Sequence, residues 1–392
     1  MKTQLTRIIA ALVALCLSTG AAFAQVETIA PYALIMDFDT GSVLYEKKAD
    51  EPIGPSSMSK LMTVAIVFEK LKAGELKLTD EFSVSEKAWR EREGSTMWVR
   101  VNTKIPLYDL LQGIIVQSGN DACIVVAENI SGSEEAFAQL MNKKAREWGL
   151  KNSTFANSTG LPDPHQLMSV RDLGLLARKI IRDYPEYYKY FGEKEFTWEK
   201  IRQSNRNPLL FNFKGADGLK TGHTQDNGYG LVGSAKQDGK RRIIVVNGLP
   251  SNRDRTSESA RLMRIAFNDF TTKTLYEKGE IAGDAQVFAG NAKTVPLITG
   301  AVISMILPRL GADDIKAKVI YEGPVPAPIA EGQQIGALRV ETRTGDTREF
   351  PLYAGKDVAP TGVIGRIGMA LKALIGTTPE PEAGGGAPAA RQ

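Results

Sequence analysis

Cysteine and histidine are scarce in this 392-residue chain, which contains only two of each. The histidines are His165 and His223, and the cysteines are Cys16 and Cys123. Zinc sites in proteins are assembled from three or four ligands, most often His and Cys, and this small supply makes such a site hard to build. The scarcity argues against a metal-dependent hydrolase, and we predict neither a cofactor nor a metal ligand.

The chain also lacks a strong charge of either sign. Its 49 Lys and Arg residues nearly balance its 45 Asp and Glu residues, which gives a formal net charge of +4. Proteins that bind nucleic acid carry clearly basic surfaces, so this balance gives no reason to expect that partner. Hydrophobic residues make up 43% of the chain, enough for a full core, and the length allows two or three domains.

The N-terminus has the pattern of a secretion signal over residues 1–24. Basic residues precede the apolar run 8–17, and Ala22-Phe23-Ala24 has the small-x-small form that signal peptidase cleaves. The run is too short to span a membrane, although a retained anchor is the alternative. We therefore expect export to the bacterial periplasm. Cys123 would then be the one cysteine left, a buried core thiol with no internal disulfide partner.

Three short motifs carry the functional argument, and the first is Ser57-Met-Ser-Lys60. The apolar run from Leu61 to Leu71 follows it and predicts a buried helix. A Ser and a Lys three residues apart share one face of a helix, with about 5–6 Å between their Cβ atoms. The amine can then act as the base for the hydroxyl. Taken alone, Ser57 is better explained as an ordinary helix N-terminus.

The other two motifs are Ser118-Gly-Asn120 and Lys220-Thr-Gly222. The last is followed by two β-rich runs around Asp238-Gly239, which predict a hairpin. Lys220 is expected to enter a strand beside the helix, where Gly222 would let a substrate backbone approach closely. The backbone N–H groups of Ser57 and His223 are the candidate oxyanion donors. Three such motifs in this order describe a serine acyl-transfer site.

With longer stretches at 118–123, 203–207 and 217–224, the motifs resemble those of low-molecular-mass penicillin-binding proteins, the serine-type D-alanyl-D-alanine carboxypeptidase family. The resemblance covers nearly the whole chain. It implies that the catalytic residues are Ser57 as nucleophile, Lys60 as base, and Ser118, Asn120 and Lys220. It implies that the substrate is bound by Thr221, Gly222, His223, Arg255 and Arg206. Among these, Arg255 would help to receive the substrate carboxylate.

Catalysis by Lys60 requires a lowered pKa. A free lysine has a pKa near 10.4, so about one molecule in a few thousand carries the neutral amine at pH 7. Lowering the pKa to roughly 7 or 8 takes about 3 units, on the order of 4 kcal/mol. Burial together with a second cation such as Lys220 would supply this shift.

The patterns and the resemblance together predict an α+β fold. A hairpin at 33–36 and 42–45 would join the later hairpin in one antiparallel sheet with helices on its faces, as in penicillin-binding proteins and β-lactamases. Helical spacing in 107–116, 134–148 and 170–181 predicts an inserted α-rich lobe. These elements make up the predicted catalytic domain at 25–272.

The remaining residues predict three further segments. Short β-prone runs broken by Gly and Pro predict a small all-β domain at 280–356, with no residue set that suggests chemistry. Residues 360–377 have one apolar helical face and predict an amphipathic helix on a membrane surface, or a helix docked on its own domain. Residues 378–392 are rich in Gly, Ala and Pro and predict a disordered tail.

The predicted function is removal of the terminal D-alanine from peptidoglycan stem pentapeptides through a Ser57 acyl-enzyme. The expected partners are these stem peptides, β-lactam antibiotics as inhibitors that acylate the same serine, and the outer face of the inner membrane. The alternatives are a D,D-endopeptidase or β-lactamase of the same fold, and a non-catalytic wall-binding scaffold. No Glu-x-x-Leu-Asn stretch lies between Asn120 and Lys220, which argues against a class A β-lactamase.

Overall fold

The computed structural model describes residues 26–91, 93–309, 315–342 and 347–362. Two compact units make up the chain, one ending at Asn268 and the other beginning at Asp269. The sequence pattern places the change slightly later, near Thr272. The predicted signal peptide, the predicted tail and residues 363–377 of the predicted amphipathic helix lie outside the described residues.

The first unit alternates strands and helices along the chain. Its strands are β1 (Tyr32–Asp37), β2 (Val43–Lys47), β3 (Glu81–Ser83), β4 (Lys104–Pro106), β5 (Glu195–Trp198), β6 (Ile201–Ser204), β7 (Ala216–Thr224), β8 (Gly228–Gln237) and β9 (Lys240–Leu249). Its helices are α1 (Lys60–Lys72), α2 (Glu86–Arg90), α3 (Leu107–Gln112), α4 (Asn120–Ser131), α5 (Glu134–Glu147), α6 (Val170–Asp183), α7 (Pro185–Tyr188), α8 (Leu209–Asn212) and α9 (Asn252–Asn268). Short 3₁₀ turns span Ser56–Ser59 and Lys189–Gly192.

A five-stranded antiparallel sheet forms the centre of this unit, in the order β2-β1-β9-β8-β7. Both predicted hairpins are present, and β1 pairs with β9 so that they share one sheet, with Ile35 opposite Ile244. Asp238 and Gly239 form the turn between β8 and β9 and both have positive φ, the conformation that Asp-Gly favours. The order leaves β7 at an edge, paired with β8 alone in this sheet.

Alternate residues of the central strands enter two separate cores. Leu34 and Val245 belong to a large core that also includes α1, whereas Ile35 and Ile244 belong to a second core with Leu262 of α9. This is the period-two pattern of a sheet covered on both faces. Burying each such side chain contributes about 1.5–3 kcal/mol, so the helices hold the sheet from both sides.

Helix α6 covers one face of the sheet, so assigning 170–181 to the α-rich lobe is wrong. A Cβ built on Gly174 would lie 2.5 Å from Leu34 Cδ2 of β1. A side chain at position 174 would require the Leu34 side chain to move, so glycine lets the helix lie close to the strand. The helical spacing predicted the element correctly, but it carries no information about which neighbour the apolar face covers.

The helix predicted over 107–116 changes form part-way. Helix α3 ends at Gln112, and Gly113–Gln117 continue as a π-helix. Single π turns inside helices are frequent at functional sites because they redirect the residues that follow. Here the next residue, Ser118, has φ of 64°, and α4 begins at Asn120. The irregular turn therefore sets the direction of the second motif.

A buried ion pair connects the first strand with β9. Asp37 and Arg242 contact each other through Oδ2 and Nη1, and each side chain is only 2% exposed. Arg242 also donates from Nε to the Ala266 carbonyl of α9 at 2.9 Å. Since an unpaired buried charge is costly, this pair ties β1, β9 and α9 into a specific arrangement.

The second unit is all-β in its described residues. Its strands are β10 (Phe270–Tyr276), β11 (Ile281–Phe288), β12 (Thr294–Thr299), β13 (Ile303–Pro308), β14 (Ile315–Tyr321), β15 (Val325–Pro326), β16 (Gln334–Thr342) and β17 (Thr347–Ala354). Strands β10 and β13 pair with each other, and the others form a six-stranded sheet around a core that includes Leu297, Leu338 and Leu352. The predicted all-β character is confirmed. Within the described ranges, we find no helix with the length and apolarity needed to cross a membrane.

Candidate active site

The first motif lies at the junction of a 3₁₀ turn and a buried helix. Ser57 belongs to the 3₁₀ turn, and Lys60 is the first residue of α1. Lys60 Nζ lies 2.9 Å from Ser57 Oγ. The side chain of Lys60 is fully buried, so its amine is directed to this hydroxyl and not to solvent. The pair thus has the contact that a nucleophile and its base require.

Two further oxygen atoms accept hydrogen bonds from the Lys60 amine. Asn120 Oδ1 lies 2.6 Å from Nζ, and the Thr159 carbonyl oxygen lies 2.5 Å from it. The Asn120 side chain is itself oriented, because its Nδ2 donates to the Glu93 carbonyl at 2.7 Å. Lys60 is therefore held by three partners from three separate segments.

Ser118 stands beside this group with a free hydroxyl. Its side chain is 1% exposed, and its Oγ has no hydrogen-bond partner among the described residues. An unpaired buried hydroxyl costs free energy, and such groups concentrate where a ligand later satisfies them. Asp121, three residues after Ser118 with its left-handed backbone, accepts from the backbone N–H groups of Met97, Trp98 and Val99. These bonds hold the second motif against segment 97–99.

The third motif lies within the edge strand β7 and not at its start. Lys220 and Thr221 are both buried, and Lys220 Nζ donates to the Thr221 carbonyl at 3.2 Å. The sequence predicted that glycine at 222 lets a substrate backbone approach, but the structure shows a different reason for a glycine at this position. A Cβ on Gly222 would lie 2.9 Å from the Pro55 carbonyl oxygen and 3.1 Å from Ser56 Cβ. Glycine is required here because the nucleophile segment packs directly on the strand.

His223 and Arg255 meet at an aromatic ring on the neighbouring strand. The His223 ring stacks on Tyr229 of β8 with centroids 3.9 Å apart, and the Arg255 guanidinium lies 5.4 Å from the same ring. Arg255 donates from Nη2 to Asn252 Oδ1 at 2.6 Å and makes a long contact of 3.5 Å with the Gly222 carbonyl. Its Nε has no hydrogen-bond partner among the described residues. The guanidinium thus keeps donor capacity beside β7.

Arg206 is an exposed residue whose charge still acts on both lysines. Its Nη1 contacts Ser95 Oγ, next to the segment that Asp121 holds. Asn207 follows it and donates from Nδ2 to the Gly218 carbonyl of β7 at 2.7 Å. Among the predicted residues, hydrogen bonds join Ser57, Lys60 and Asn120, and the charges of Lys60, Arg206 and Arg255 act on Lys220.

Burial is the main cause of the lysine pKa shifts. The pKa of Lys60 is lowered to about 8, mainly by burial and also by the Arg206 charge, against the opposite effects of Cys123, Asp121 and Glu91. For Lys220, burial and then the charge of Lys60 hold the pKa well below its usual value. The predicted direction for Lys60 is therefore present, with desolvation as the leading cause.

The sequence did not predict a role for segment 157–160, in which the Thr159 carbonyl oxygen accepts a hydrogen bond from the Lys60 amine. The Asn157 side chain holds this turn, accepting at Oδ1 from the N–H groups of Thr159 and Gly160. A main-chain carbonyl has no sequence signature. The run Asn-Ser-Thr-Gly does predict a turn, because Asn and Ser bond their own backbone and Gly adopts positive φ.

Two other predictions about single residues can be compared with the structure. His165 lies exposed in the loop between α5 and α6, the loop position that the sequence predicted for it. Cys123 on α4 is buried as predicted, and burial raises the pKa of its thiol to about 12. Among the described residues no cluster of three or more His, Cys, Asp or Glu side chains could hold a metal ion.

A cavity of about 310 Å³ extends the cleft past Ser56 and Thr224. It is bounded on one side by the loop from Gly160 to Pro164 and on the other by Asp226 and Asn227. Ser56 Oγ contacts Thr224 Oγ1 at 3.3 Å, so the nucleophile segment and the end of β7 meet at its floor. The cleft is open where an extended peptide on β7 would continue.

Comparison with known proteins places these residues in a family. Residues 19–251 match the family described as D-alanyl-D-alanine carboxypeptidase, peptidase family S11. The chain belongs to this family. Residues 270–360 match the C-terminal domain of penicillin-binding protein 5. The family predicted from the motifs, the fold that it implies and its serine-type carboxypeptidase class are confirmed.

Individual family members cover both units of the chain. D-alanyl-D-alanine carboxypeptidase DacC of Escherichia coli K12 is 38% identical over 341 residues, 85% of this chain and 85% of that protein. The crystal structure of penicillin-binding protein 5 from Haemophilus influenzae is 36% identical, with a TM-score of 0.75 over 86% of this chain and all of that one. Penicillin-binding protein D2 of Listeria monocytogenes in its ampicillin-bound form is 27% identical, with a TM-score of 0.57 over 63% of this chain. The catalytic fold thus recurs in a solved β-lactam complex.

Proposed function

We propose that this protein removes the terminal D-alanine from peptidoglycan stem pentapeptides, with Ser57 as nucleophile and Lys60 as general base. The observation that carries the proposal is the 2.9 Å contact between Lys60 Nζ and Ser57 Oγ inside a buried site. The lowered pKa of Lys60 supports it, because a neutral amine can accept the hydroxyl proton. Membership of the carboxypeptidase family supplies the substrate class.

The acylation step follows from the positions of these groups. Ser57 Oγ attacks the carbonyl carbon of the penultimate D-alanine while its proton moves to Lys60 Nζ. The N–H groups of Ser57 and His223 stabilise the oxyanion. The C–N bond then breaks, and the proton passes through Ser118 Oγ to the leaving amine, which departs as free D-alanine. A water molecule hydrolyses the ester, with Lys60 again as the base.

The substrate carboxylate is received on the β7 side of the cleft. Arg255 supplies positive charge there, Lys220 supplies N–H donors, and Thr221 supplies a hydroxyl. Ser118, whose buried Oγ is unpaired in the described residues, has free capacity for the proton relay. A β-lactam enters the same cleft by its carboxylate and acylates Ser57 through its ring carbonyl, which accounts for inhibition by penicillins.

Three substrates test this function and separate it from its alternatives. We expect the purified protein to release D-alanine from a stem pentapeptide, to leave a cross-linked peptide dimer intact and to form a stable penicillin adduct. Ser57→Ala abolishes both reactions, whereas Ser83→Ala, an exposed strand serine, leaves them unchanged. Cleavage of the dimer alone would make the protein an endopeptidase, and rapid penicillin turnover would make it a β-lactamase.

We also propose that the protein works in the periplasm on the outer face of the inner membrane. The signal-peptide pattern at 1–24 supports export. The apolar stripe between Val363 and Ile375 supports surface attachment, since a segment of this length and polarity lies in the membrane interface. Peptidoglycan, the substrate class of the family, is also found in that compartment.

A further inference from the structure

The Lys60 amine has two acceptors and one reaction partner. A neutral amine carries two N–H groups and one lone pair. Asn120 Oδ1 and the Thr159 carbonyl, at 2.6 and 2.5 Å, account for the two N–H groups. The lone pair is then left for the third neighbour, Ser57 Oγ. The direction of the base thus depends on both acceptors keeping their positions.

The two acceptors are held in different ways. Asn120 Oδ1 is fixed by the other end of its own amide, which donates to the Glu93 carbonyl. The Thr159 oxygen belongs to the main chain, so its direction depends on the conformation of the turn from 157 to 161. Whatever fixes that turn also fixes the lone pair of Lys60.

The Asn157 side chain makes four hydrogen bonds within this turn. Its Oδ1 accepts from Thr159 N at 3.2 Å, from Thr159 Oγ1 at 2.9 Å and from Gly160 N at 2.7 Å. Its Nδ2 donates to the Leu161 carbonyl at 3.1 Å. Four bonds from one side chain close the turn on both sides of the Thr159 carbonyl.

The turn is also pressed against the nucleophile segment. Gly160 has φ of +83°, and a Cβ there would lie 2.1 Å from the Ser56 carbonyl oxygen. Thr63 Oγ1, one turn after Lys60 on α1, donates to the Ser158 carbonyl at 2.7 Å. Because neighbouring carbonyls contact residues three apart on one helix, a small rotation of the turn changes the contact at Lys60.

We propose that Asn157 is a positioning residue that holds the Thr159 carbonyl on Lys60, so that the lone pair of the amine faces Ser57. It touches neither the substrate nor the reacting atoms in this arrangement. The inference rests on the proposed role of Lys60 as the base. The acylation rate then depends on Asn157, which lies two residues before the Thr159 carbonyl that contacts Lys60.

Several charged or titratable groups influence Lys60, and all of them remain in every variant that tests the role of Asn157. They come from α4, from segment 91–93, from the loop between β6 and α8 and from β7: Cys123, Asp121, Glu91, Arg206 and Lys220. Since they do not change, a shift in the pH dependence of acylation reports on the substitution at Asn157.

The experiment compares Asn157→Ala with Asn157→Asp in the full-length protein. The second-order rate of acylation by a fluorescent penicillin is measured from pH 6 to 10. We expect Asn157→Ala to lower the high-pH plateau at least tenfold and to move the midpoint to lower pH. The reason is that the Thr159 carbonyl bonds the protonated amine more strongly than the neutral one.

Asn157→Asp keeps an acceptor for the same N–H groups but adds a negative charge near Lys60. We expect a plateau closer to that of the unmodified protein and a midpoint moved to higher pH, because a nearby anion favours the protonated amine. General destabilisation of the fold cannot move the two midpoints in opposite directions, so this split is the signature of positioning.

Asn142→Ala is the matched control. Asn142 also joins loop backbone to a helix, donating to the carbonyls of Ala138 and Phe155 and accepting from Phe155 N, but it does not contact the 157–161 turn. We expect its midpoint to stay unchanged. Equal profiles for Asn142→Ala and Asn157→Ala, at equal melting temperatures, would overturn the inference. A failure of the proposed function looks different: Lys60→Ala would keep normal acylation.

Discussion

At the residue scale, the main problem for this site is that two lysines are buried in the same cleft. Lys60 and Lys220 are 0% and 3% exposed, and the charge of Lys60 is one cause of the lowered pKa of Lys220. Two ammonium groups in a site of low polarity disfavour each other as well as being poorly solvated. The arrangement thus favours one neutral amine, and the contact with Ser57 makes Lys60 the one in place to act as base.

The pH dependence of acylation tests the state of Lys60. Its pKa of about 8 predicts an acylation rate that rises with pH through a midpoint near 8 and then levels off, because only the neutral amine accepts the proton. Lys60→Ala should lower the rate by about 10²–10⁴-fold, the usual range for loss of a general base. Stopped-flow or gel measurement of penicillin acylation gives both values. A flat profile across pH 6–9.5 would contradict the assignment, and Lys70→Ala, on the exposed side of α1, is the control.

The sequence predicted side chains of the candidate site but not the main-chain groups that contact them. Ser57, Lys60 and Asn120 belong to short motifs that are weak one by one, and it is their order along the chain that predicted a shared site. The Thr159 carbonyl could not be found in this way, since every residue has a carbonyl and only the folded turn brings this one to Lys60. The required glycine at 222 was noticed, but the atoms that demand it come from Pro55 and Ser56, far away in the chain.

At the element scale, strand β7 and the 3₁₀ turn Ser56–Ser59 form the two walls of the cleft. They approach each other at Gly222, where an added Cβ would lie 2.9 Å from the Pro55 carbonyl oxygen and 3.1 Å from Met58 Cγ and Ser56 Cβ. The Pro55 carbonyl belongs to the main chain and cannot move aside by changing rotamer. A side chain at position 222 would therefore change the spacing between the nucleophile segment and the strand.

Gly222→Ala tests this contact. The added methyl group would lie 2.9 Å from the Pro55 carbonyl, so either the turn or the strand must shift. We expect a loss of about 1–3 kcal/mol in the free energy of unfolding and a fall in acylation of at least tenfold. Urea unfolding and penicillin acylation measure the two effects.

The control for that change is Gly239→Ala in the turn between β8 and β9. Gly239 has φ of +78° and no atom within 4 Å of the added Cβ. It should lose stability through backbone strain alone, about 1 kcal/mol, with acylation unchanged. If the two variants acylate at the same rate, the spacing between turn and strand does not control the reaction.

Elements with a clear local period were predicted well, and the irregular ones were not. Helix α5 and the hairpin of β8 and β9 follow from residue spacing and an Asp-Gly turn. The π-helix Gly113–Gln117 was predicted as ordinary helix, since its apolar residues suit either form and the choice is made by packing. Helix α6 was found but assigned to the wrong layer, because an apolar face does not identify its partner.

At the scale of the whole molecule, the candidate catalytic residues all belong to one of the two units. The cleft, with every predicted catalytic residue, lies within the unit that ends at Asn268. The described part of the second unit is a β structure with its own core, and residues 270–360 match a domain known from penicillin-binding protein 5. The second unit therefore has a hydrophobic core of its own, distinct from the two cores of the first unit.

Deletion of the residues after Pro360 tests the proposed attachment. We expect the shortened protein to leave the membrane fraction and appear in the soluble periplasmic extract, with acylation by penicillin unchanged within about twofold, since no catalytic residue is removed. Fractionation of cells followed by penicillin labelling measures both. Persistent membrane association of the shortened protein would show that the segment after Pro360 is not the anchor.

The position of β7 at the edge of the sheet has a consequence for which molecules can react. An edge strand offers unpaired main-chain groups to any extended chain, including a strand of another folded protein. Here the Ser56–Ser59 turn packs against Gly222 in the direction of a Cβ, which is perpendicular to the sheet, and among the described residues β8 is the one strand that pairs with β7 in this sheet. The other side of β7 can therefore take an extended peptide as an added strand, next to the segment that carries Ser57.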